Sequence, residues 1–214
     1  MQFTGFTSET GEFLWELAFH TEKPWFEAHK EQFLRAVKEP FDALAKETLA
    51  LMQDKHPDEP YCLHISRIYR DARRLFGRGP YKDHLWFTLW TGEDRHNSPV
   101  FWFELSPASY SYGVGFYTAT AEQMAALRRY IDVNPAEMER LARRVAKSEF
   151  HLEGEPYKRL KKDVGEVLNP WYNRKWISLC AEYDHGGALY TSELPGVLLD
   201  AYERLMPVYR LLKR

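Results

Sequence analysis

The runs LWFTLW (Leu85–Trp90) and VFWFEL (Val100–Leu105), joined by TGEDRHNSP (Thr91–Pro99), decide the fold. Both are dense in Trp, Phe and Leu, and the segment between them carries turn residues, so the spacing predicts two strands of one sheet. Their near-continuous apolarity implies burial on both faces, or one face under helices and the other lining a cleft. Working outward, Tyr61 to Arg70 alternates loosely and reads as a strand upstream. Tyr110 to Tyr117 (YSYGVGFY) reads as a strand downstream, with Gly113 and Gly115 on one face. Paired glycines in a strand predict close approach by a neighbour, here expected to be a packed helix. Trp176 to Tyr183 supplies one more strand, ended by Asp184-His185-Gly186-Gly187.

Helices flank these strands. Thr7 or Ser8 caps a first helix whose buried stripe is Phe13, Leu14, Leu17 and Ala18. A second starts at Pro24 and runs through Trp25, Phe26, Phe33 and Val37. Pro40 is expected to restart the chain into a third, with Phe41, Leu44, Ala45, Thr48, Leu49 and Met52 at helical spacing. Thr120 with Gln123 makes a capping box, and Asn134-Pro135 opens the helix after it. The last helix carries Leu194, Val197, Leu198, Ala201 and Leu205, with Pro207 expected to kink it. The expected architecture is α+β: helices packed on a mostly antiparallel, aromatic-rich sheet. One domain over 1–214 is expected, with helices over 8–54, a central sheet over 61–117, helices over 120–147, and a basic segment, strand and final helix over 150–214.

The 214 residues carry a formal net charge of -2, with 44% hydrophobic, 28% charged and 15% aromatic residues. These are the proportions of a globular domain whose core is largely ring packing. A near-neutral chain offers no overall field for nucleic acid or anionic membrane. No run approaches the roughly 20 apolar residues of a membrane span, and the N-terminus has no leader-like pattern. Cys62 and Cys180 make no CxxC pair and read as buried thiols of a reducing, cytoplasmic protein.

Charge concentrates in ISRIYRDARRLFGRGPYKDH (Ile65–His84). Arg67, Arg70, Arg73, Arg74, Arg78 and Lys82 stand there against Asp71 and Asp83, a local +4 in an otherwise acidic chain. Guanidinium forks suit carboxylate and phosphate, and Lys82 adds a compact charge. On a functional reading Arg67, Arg70, Arg73 and Lys82 clamp an anion, with Tyr81 and His84 as hydrogen-bond or proton-transfer groups and Asp71 among the ligand-binding residues. On a scaffold reading Arg70 and Asp71 satisfy backbone groups while Pro80 and Tyr81 fix the loop. The spacing is wrong for a GxxxxGK[ST] phosphate loop. Eight histidines lack HxH, HExxH or Cys/His spacing, so no metal site is expected, and the sequence names no cofactor. Nucleophilic catalysis has no elbow motif to support it. A second basic patch, Lys158, Arg159, Lys161 and Lys162, is expected to be solvated or internally paired, leaving nucleic acid a poor partner.

Several blocks occur in the order of a known family: Phe6-Thr7-Ser8-Glu9-Thr10, Trp25 to Lys30, Arg67-Ile68-Tyr69-Arg70-Asp71 with Arg73, Pro80-Tyr81-Lys82, Gly113 to Tyr117, and Tyr157-Lys158-Arg159 with Lys175-Trp176. Together they resemble the domain-of-unknown-function family 2461, whose most specific element couples RDxR to PYK across a short loop. The resemblance spans nearly the whole chain and brings no reaction with it. Arg74 departs from the family's usual Phe, and Leu75-Phe76-Gly77 from a polar loop. The expectation for function is thus an anionic small-molecule site, phosphorylated ligands included, at the RDxR…PYK loop. The alternative is a non-catalytic module that offers the loop to an acidic protein or nucleic acid. The sequence names neither a reaction nor an oligomeric state.

Overall fold

The computed structural model describes residues 2–71, 73, 75, 77 and 79–214. Its strands are β1 (Tyr61–Ile65), β2 (Leu85–Thr91), β3 (Val100–Leu105), β4 (Ser109–Gly115), β5 (His151–Glu153) and β6 (Ser178–Asp184). Its helices are α1 (Ser8–Phe19), α2 (Lys23–Ala28), α3 (Lys30–Phe33), α4 (Glu39–Lys55), α5 (Ala121–Val133), α6 (Pro135–Val145), α7 (Asn169–Tyr172) and α8 (Leu194–Leu212). The fold is α+β with a six-stranded antiparallel sheet of order β1-β2-β3-β4-β6-β5. The chain folds as two compact units.

The first unit is Met1–Leu89, Trp102–Ser111 and Glu182–Asp200. Phe41 of α4 meets Phe87 at 5.8 Å and Phe103 at 5.9 Å, and those two rings stack at 5.5 Å. Alternation then turns Trp86, Thr88, Trp102 and Glu104 to the opposite face of β2 and β3. Thr7 caps α1, its N–H donating to Thr10 Oγ1 at 3.2 Å.

The expected restart at Pro40 does not occur. α3 passes through a π-helical turn, Leu34–Lys38, straight into α4. Within that turn the Glu39 N–H donates to the Leu34 carbonyl, five residues back. Pro40 has no N–H for the Ala36 carbonyl. Thr10 supplies the missing donor: its hydroxyl reaches Ala36 O at 2.7 Å in a buried setting. The wide turn and a borrowed hydroxyl together keep the helix continuous across proline.

β1 ends at Ile65 and does not run to Arg70. At Ser66 the ladder is taken over by a side chain, since the Trp86 N–H donates to Ser66 Oγ at 2.9 Å while the Ser66 N–H donates to Trp86 O at 2.8 Å. Pairing resumes at an isolated antiparallel bridge between Tyr69 and Tyr81. Cys62 is exposed, against the expectation of burial; Cys180 is buried.

The second unit is Trp90–Phe101, Tyr112–Ala181 and Ala201–Arg214. Phe101 stacks on Tyr209 at 4.5 Å and leans on Tyr202 at 4.9 Å, and the Thr91 N–H donates to the Tyr209 hydroxyl at 2.8 Å. The capping box of α5 forms as expected, with Thr120 N–H to Gln123 Oε1 at 2.7 Å and Gln123 N–H to Thr120 Oγ1 at 3.2 Å. Pro207 lies inside α8, which remains one helix. The neighbour that Gly115 admits is backbone rather than a helix: a Cβ there would stand 2.4 Å from Ser178 Cα and 2.6 Å from Ile177 O. β5 was beyond the reach of periodicity at three residues; it pairs antiparallel with β6 through His151–Cys180, Leu152–Leu179 and Glu153–Ser178.

Candidate functional site

The RDxR…PYK segment closes on itself through backbone. The Arg70 N–H donates to Pro80 O at 2.7 Å and the Lys82 N–H to Ile68 O at 2.8 Å, on either side of the Tyr69–Tyr81 bridge. Tyr81 is 1% exposed and stacks on Phe26 at 4.0 Å, with Tyr69 at 5.2 Å. Burial, followed by the neighbouring Tyr69 and Glu27, raises the Tyr81 phenol above its ordinary pKa. Tyr81 therefore anchors the loop to α2 from beneath.

Arg70 lies along this closure, its side chain 16% exposed. Its Nε donates to Tyr81 O at 2.8 Å, and one terminal nitrogen stands 4.0 Å from Asp83 Oδ1. Asp83 also meets His84, Oδ1 to Nδ1, at 2.9 Å. Burial pushes the Asp83 carboxyl upward, but the hydrogen bonds from His84 and its own backbone, with the charges of His84 and Arg70, carry it below its ordinary value. Lys82 behaves oppositely: burial, then the Arg70 charge, lowers it, and Glu104 offsets only part of this. Its Nζ stands 5.8 Å from the Trp86 ring centroid, within reach of a cation–π contact. Among the described residues no carboxylate lies within 4.0 Å of that Nζ.

In the other half of the predicted clamp, Arg73 is taken up by a neighbouring acid. Arg73 pairs with Asp71, Nη2 to Oδ2 at 2.7 Å and Nε to Oδ1 at 3.0 Å, and the Arg73 N–H donates to Asp71 Oδ1 at 3.0 Å. This hydrogen-bonded pair raises the Arg73 guanidinium further above its already high range. Its side chain is 88% exposed. Arg67 is exposed as well. Arg74 and Arg78, counted among the basic residues of the loop, lie outside the described residues, as does Phe76. The segment thus divides into a half-buried group of Arg70, Lys82, Asp83 and His84, and an outer rim of Arg67, Asp71 and Arg73.

A family model described as "Conserved hypothetical protein (DUF2461)" matches residues 9–210. The chain belongs to that family. No curated protein matches it. In this DUF2461 chain the RDxR and PYK halves of the block are joined by the Tyr69–Tyr81 bridge, so the pattern marks a backbone closure as well as a charge cluster.

Sequence reasoning passed over Glu104, the one acid within the aromatic run of β3. That oddity was its available signal. Burial raises its carboxyl; His84 and Lys82 pull it back, while Asp83 and Glu182 push it up again. Glu104 and Lys82 are therefore each driven toward neutrality, the behaviour of two desolvated groups and not of a tight ion pair. Glu182, exposed on β6, accepts from the Ser109 hydroxyl at 2.7 Å. His64 of β1 leans on Trp86, with ring centroids 5.3 Å apart. Among the described residues no three His, Cys, Asp or Glu side chains are grouped to hold a metal ion.

The second basic patch is partly consumed internally. Lys162 pairs with Asp132 at 2.6 Å, and Lys161 lies over the Tyr157 ring at 4.5 Å. Buried Asn173 pins the backbone of this segment, accepting from the Lys161 N–H at 2.7 Å and donating to Lys162 O at 2.9 Å. No helix among the described residues is long and apolar enough to cross a membrane.

Proposed function

We propose that the protein binds an anionic small molecule, phosphorylated ligands included, on the sheet face beside Trp86, with Lys82 and Arg70 holding the anionic group. Lys82 carries the reading: it is half-buried next to another cation, over an aromatic ring, with no carboxylate among the described residues close enough to neutralise it. A cation held in that state is destabilised until an anion arrives, which is how a preorganised site is expected to look in the unliganded protein. No reaction is assigned. We place its work in the cytoplasm, where exposed Cys62 remains a thiol.

A second reading has its own support. Arg67, Arg73 and Tyr69, which is 51% exposed, form an outer rim suited to an acidic macromolecule. Thermal unfolding with sulfate, phosphate and a panel of phosphorylated metabolites separates the two. A ligand that binds only the folded state stabilises it by about 2.7 kcal/mol at a hundredfold excess over its dissociation constant. Small-molecule binding predicts such a rise, abolished by Lys82→Ala and retained in Arg73→Ala. No rise with any anion would transfer the preference to the outer rim.

A further inference from the structure

The sheet face beside Lys82 offers more than a place for an anionic group. Phe87 and Phe103 turn toward Phe41, so alternation sets Trp86, Thr88 and Trp102 on the opposite face of β2 and β3. Tyr110 of β4 lies 6.2 Å from Phe103, ring to ring, so Ser111 next to it in the strand shares the face of Trp102. Trp86 and Trp102 are half-buried, and each keeps part of its surface in solvent. His64 adds a further flat ring, 5.3 Å from Trp86 and tilted by 38°. Beside these rings Ser111 is small, so β4 sets no bulky group against Trp102 at that position.

One polar atom on this face stands without a partner. The Thr88 hydroxyl is buried, the residue being 7% exposed, and makes no hydrogen bond among the described residues. Buried hydroxyls are normally paired, because leaving one bare costs free energy, so this one points to a group that arrives from outside. The face therefore asks for three things in one molecule. An oxyanion suits Lys82 and Arg70. A flat ring suits half-exposed indoles, since π faces stack with little demand on sequence or direction. A nitrogen or oxygen on the edge of that ring suits a single hydroxyl, which can donate or accept. A sugar ring alone would bring several hydroxyls to that one partner.

We infer that the ligand is a nucleotide: its phosphate meets Lys82 and Arg70, its base lies against Trp86 and Trp102, and the base edge hydrogen-bonds to Thr88. The inference rests on the proposed anion site and names what else its ligand carries. It gives Thr88 a binding role that its unpaired hydroxyl does not serve in the unliganded fold.

Ribose 5-phosphate is the suitable control, because it has the phosphate and sugar of a nucleotide without the base. Titration calorimetry with it and with AMP, GMP, CMP and UMP reads the contribution of the base in the unaltered protein. At least one nucleotide should bind about tenfold tighter than ribose 5-phosphate, the gain from one stacked base, and should quench tryptophan fluorescence. Thr88→Val keeps the shape of the side chain and removes the hydroxyl. It should weaken that nucleotide about fivefold, the loss of one hydrogen bond, leave ribose 5-phosphate unchanged, and raise the unliganded melting temperature. Lys82→Ala should weaken both ligands alike. Ribose 5-phosphate binding as tightly as all four nucleotides overturns the inference and leaves the anion site standing. So does a Thr88→Val protein that binds the preferred nucleotide as well as the unaltered one. If ribose 5-phosphate, the nucleotides, sulfate and inorganic phosphate all fail to bind, the anion site falls and the inference with it.

Discussion

Lys82 sets affinity against stability within one side chain. Its folded-state pKa lies below its ordinary value, so it contributes stability only at pH above that ordinary value and costs stability as pH falls through the folded one. At pH 7 the charged amine is a net cost to the unliganded fold. Lys82→Met, keeping the bulk over Trp86, is expected to raise the unliganded melting temperature at pH 7 and to abolish the rise with sulfate; a lower melting temperature would refute this account. Asp71 is the opposite case. On the scaffold reading its loss strands buried donors, but its Arg73 partner is 88% exposed. Exposed ion pairs contribute little, so Asp71→Ala should leave the urea midpoint nearly unchanged. A clearly lower midpoint would show that Asp71 organises the loop.

At the scale of elements, the hydroxyl of Thr10 completes a helix it does not belong to. Thr10→Val keeps shape but leaves Ala36 O buried without its donor, an expected cost of about 1–3 kcal/mol in urea unfolding. Pro40→Ala restores an N–H to that carbonyl, so the Thr10→Val cost should shrink in the Pro40→Ala background; additivity of the two changes would break the link drawn between them. This region also marks where sequence reading stops. Strands β2 and β3 were legible because Trp, Phe and Leu crowd them on both sides of a polar turn, and the α5 cap because Thr120 and Gln123 stand at the right spacing. Pro40 was read as a break because propensity knows nothing of a hydroxyl thirty residues upstream. Ser66 shortened β1 in the same way, by substituting a side chain for a strand acceptor. In the site, the charges were legible as a cluster, but their division was not. That Arg73 pairs with Asp71, and that Tyr69 bridges to Tyr81, are pairings that composition does not encode. Glu104 needed the strand's neighbours to be known before a lone acid in an aromatic run acquired meaning.

For the whole molecule, pH is the most informative variable. The Asp83 carboxyl sits below its ordinary value, so its contribution is present above that value and is lost as pH falls through the folded one. The Glu104 carboxyl sits above its ordinary value, so its contribution is complete below the ordinary pKa and disappears as pH rises through the folded one. Wild type should therefore be favoured in the window between these two transitions. Asp83→Asn should weaken the acid limb of the stability profile and Glu104→Gln the decline on its alkaline side, as read by melting temperature from pH 3 to 8. Identical profile shapes for wild type and Glu104→Gln would remove the electrostatic account of this face.

The sheet order has a consequence for synthesis. β1 to β4 lie beside one another in the order in which they emerge, so each can pair with a strand already made. β5 cannot: its partner β6 is translated later, and β6 in turn takes the place next to β4. A nascent chain halted before Ser178 therefore carries β5 as an unpaired segment, exposed to misassembly until the final strand arrives. Strand addition here runs backwards at the last step, and the ribosome hands the edge of the sheet to the cell before the piece that secures it.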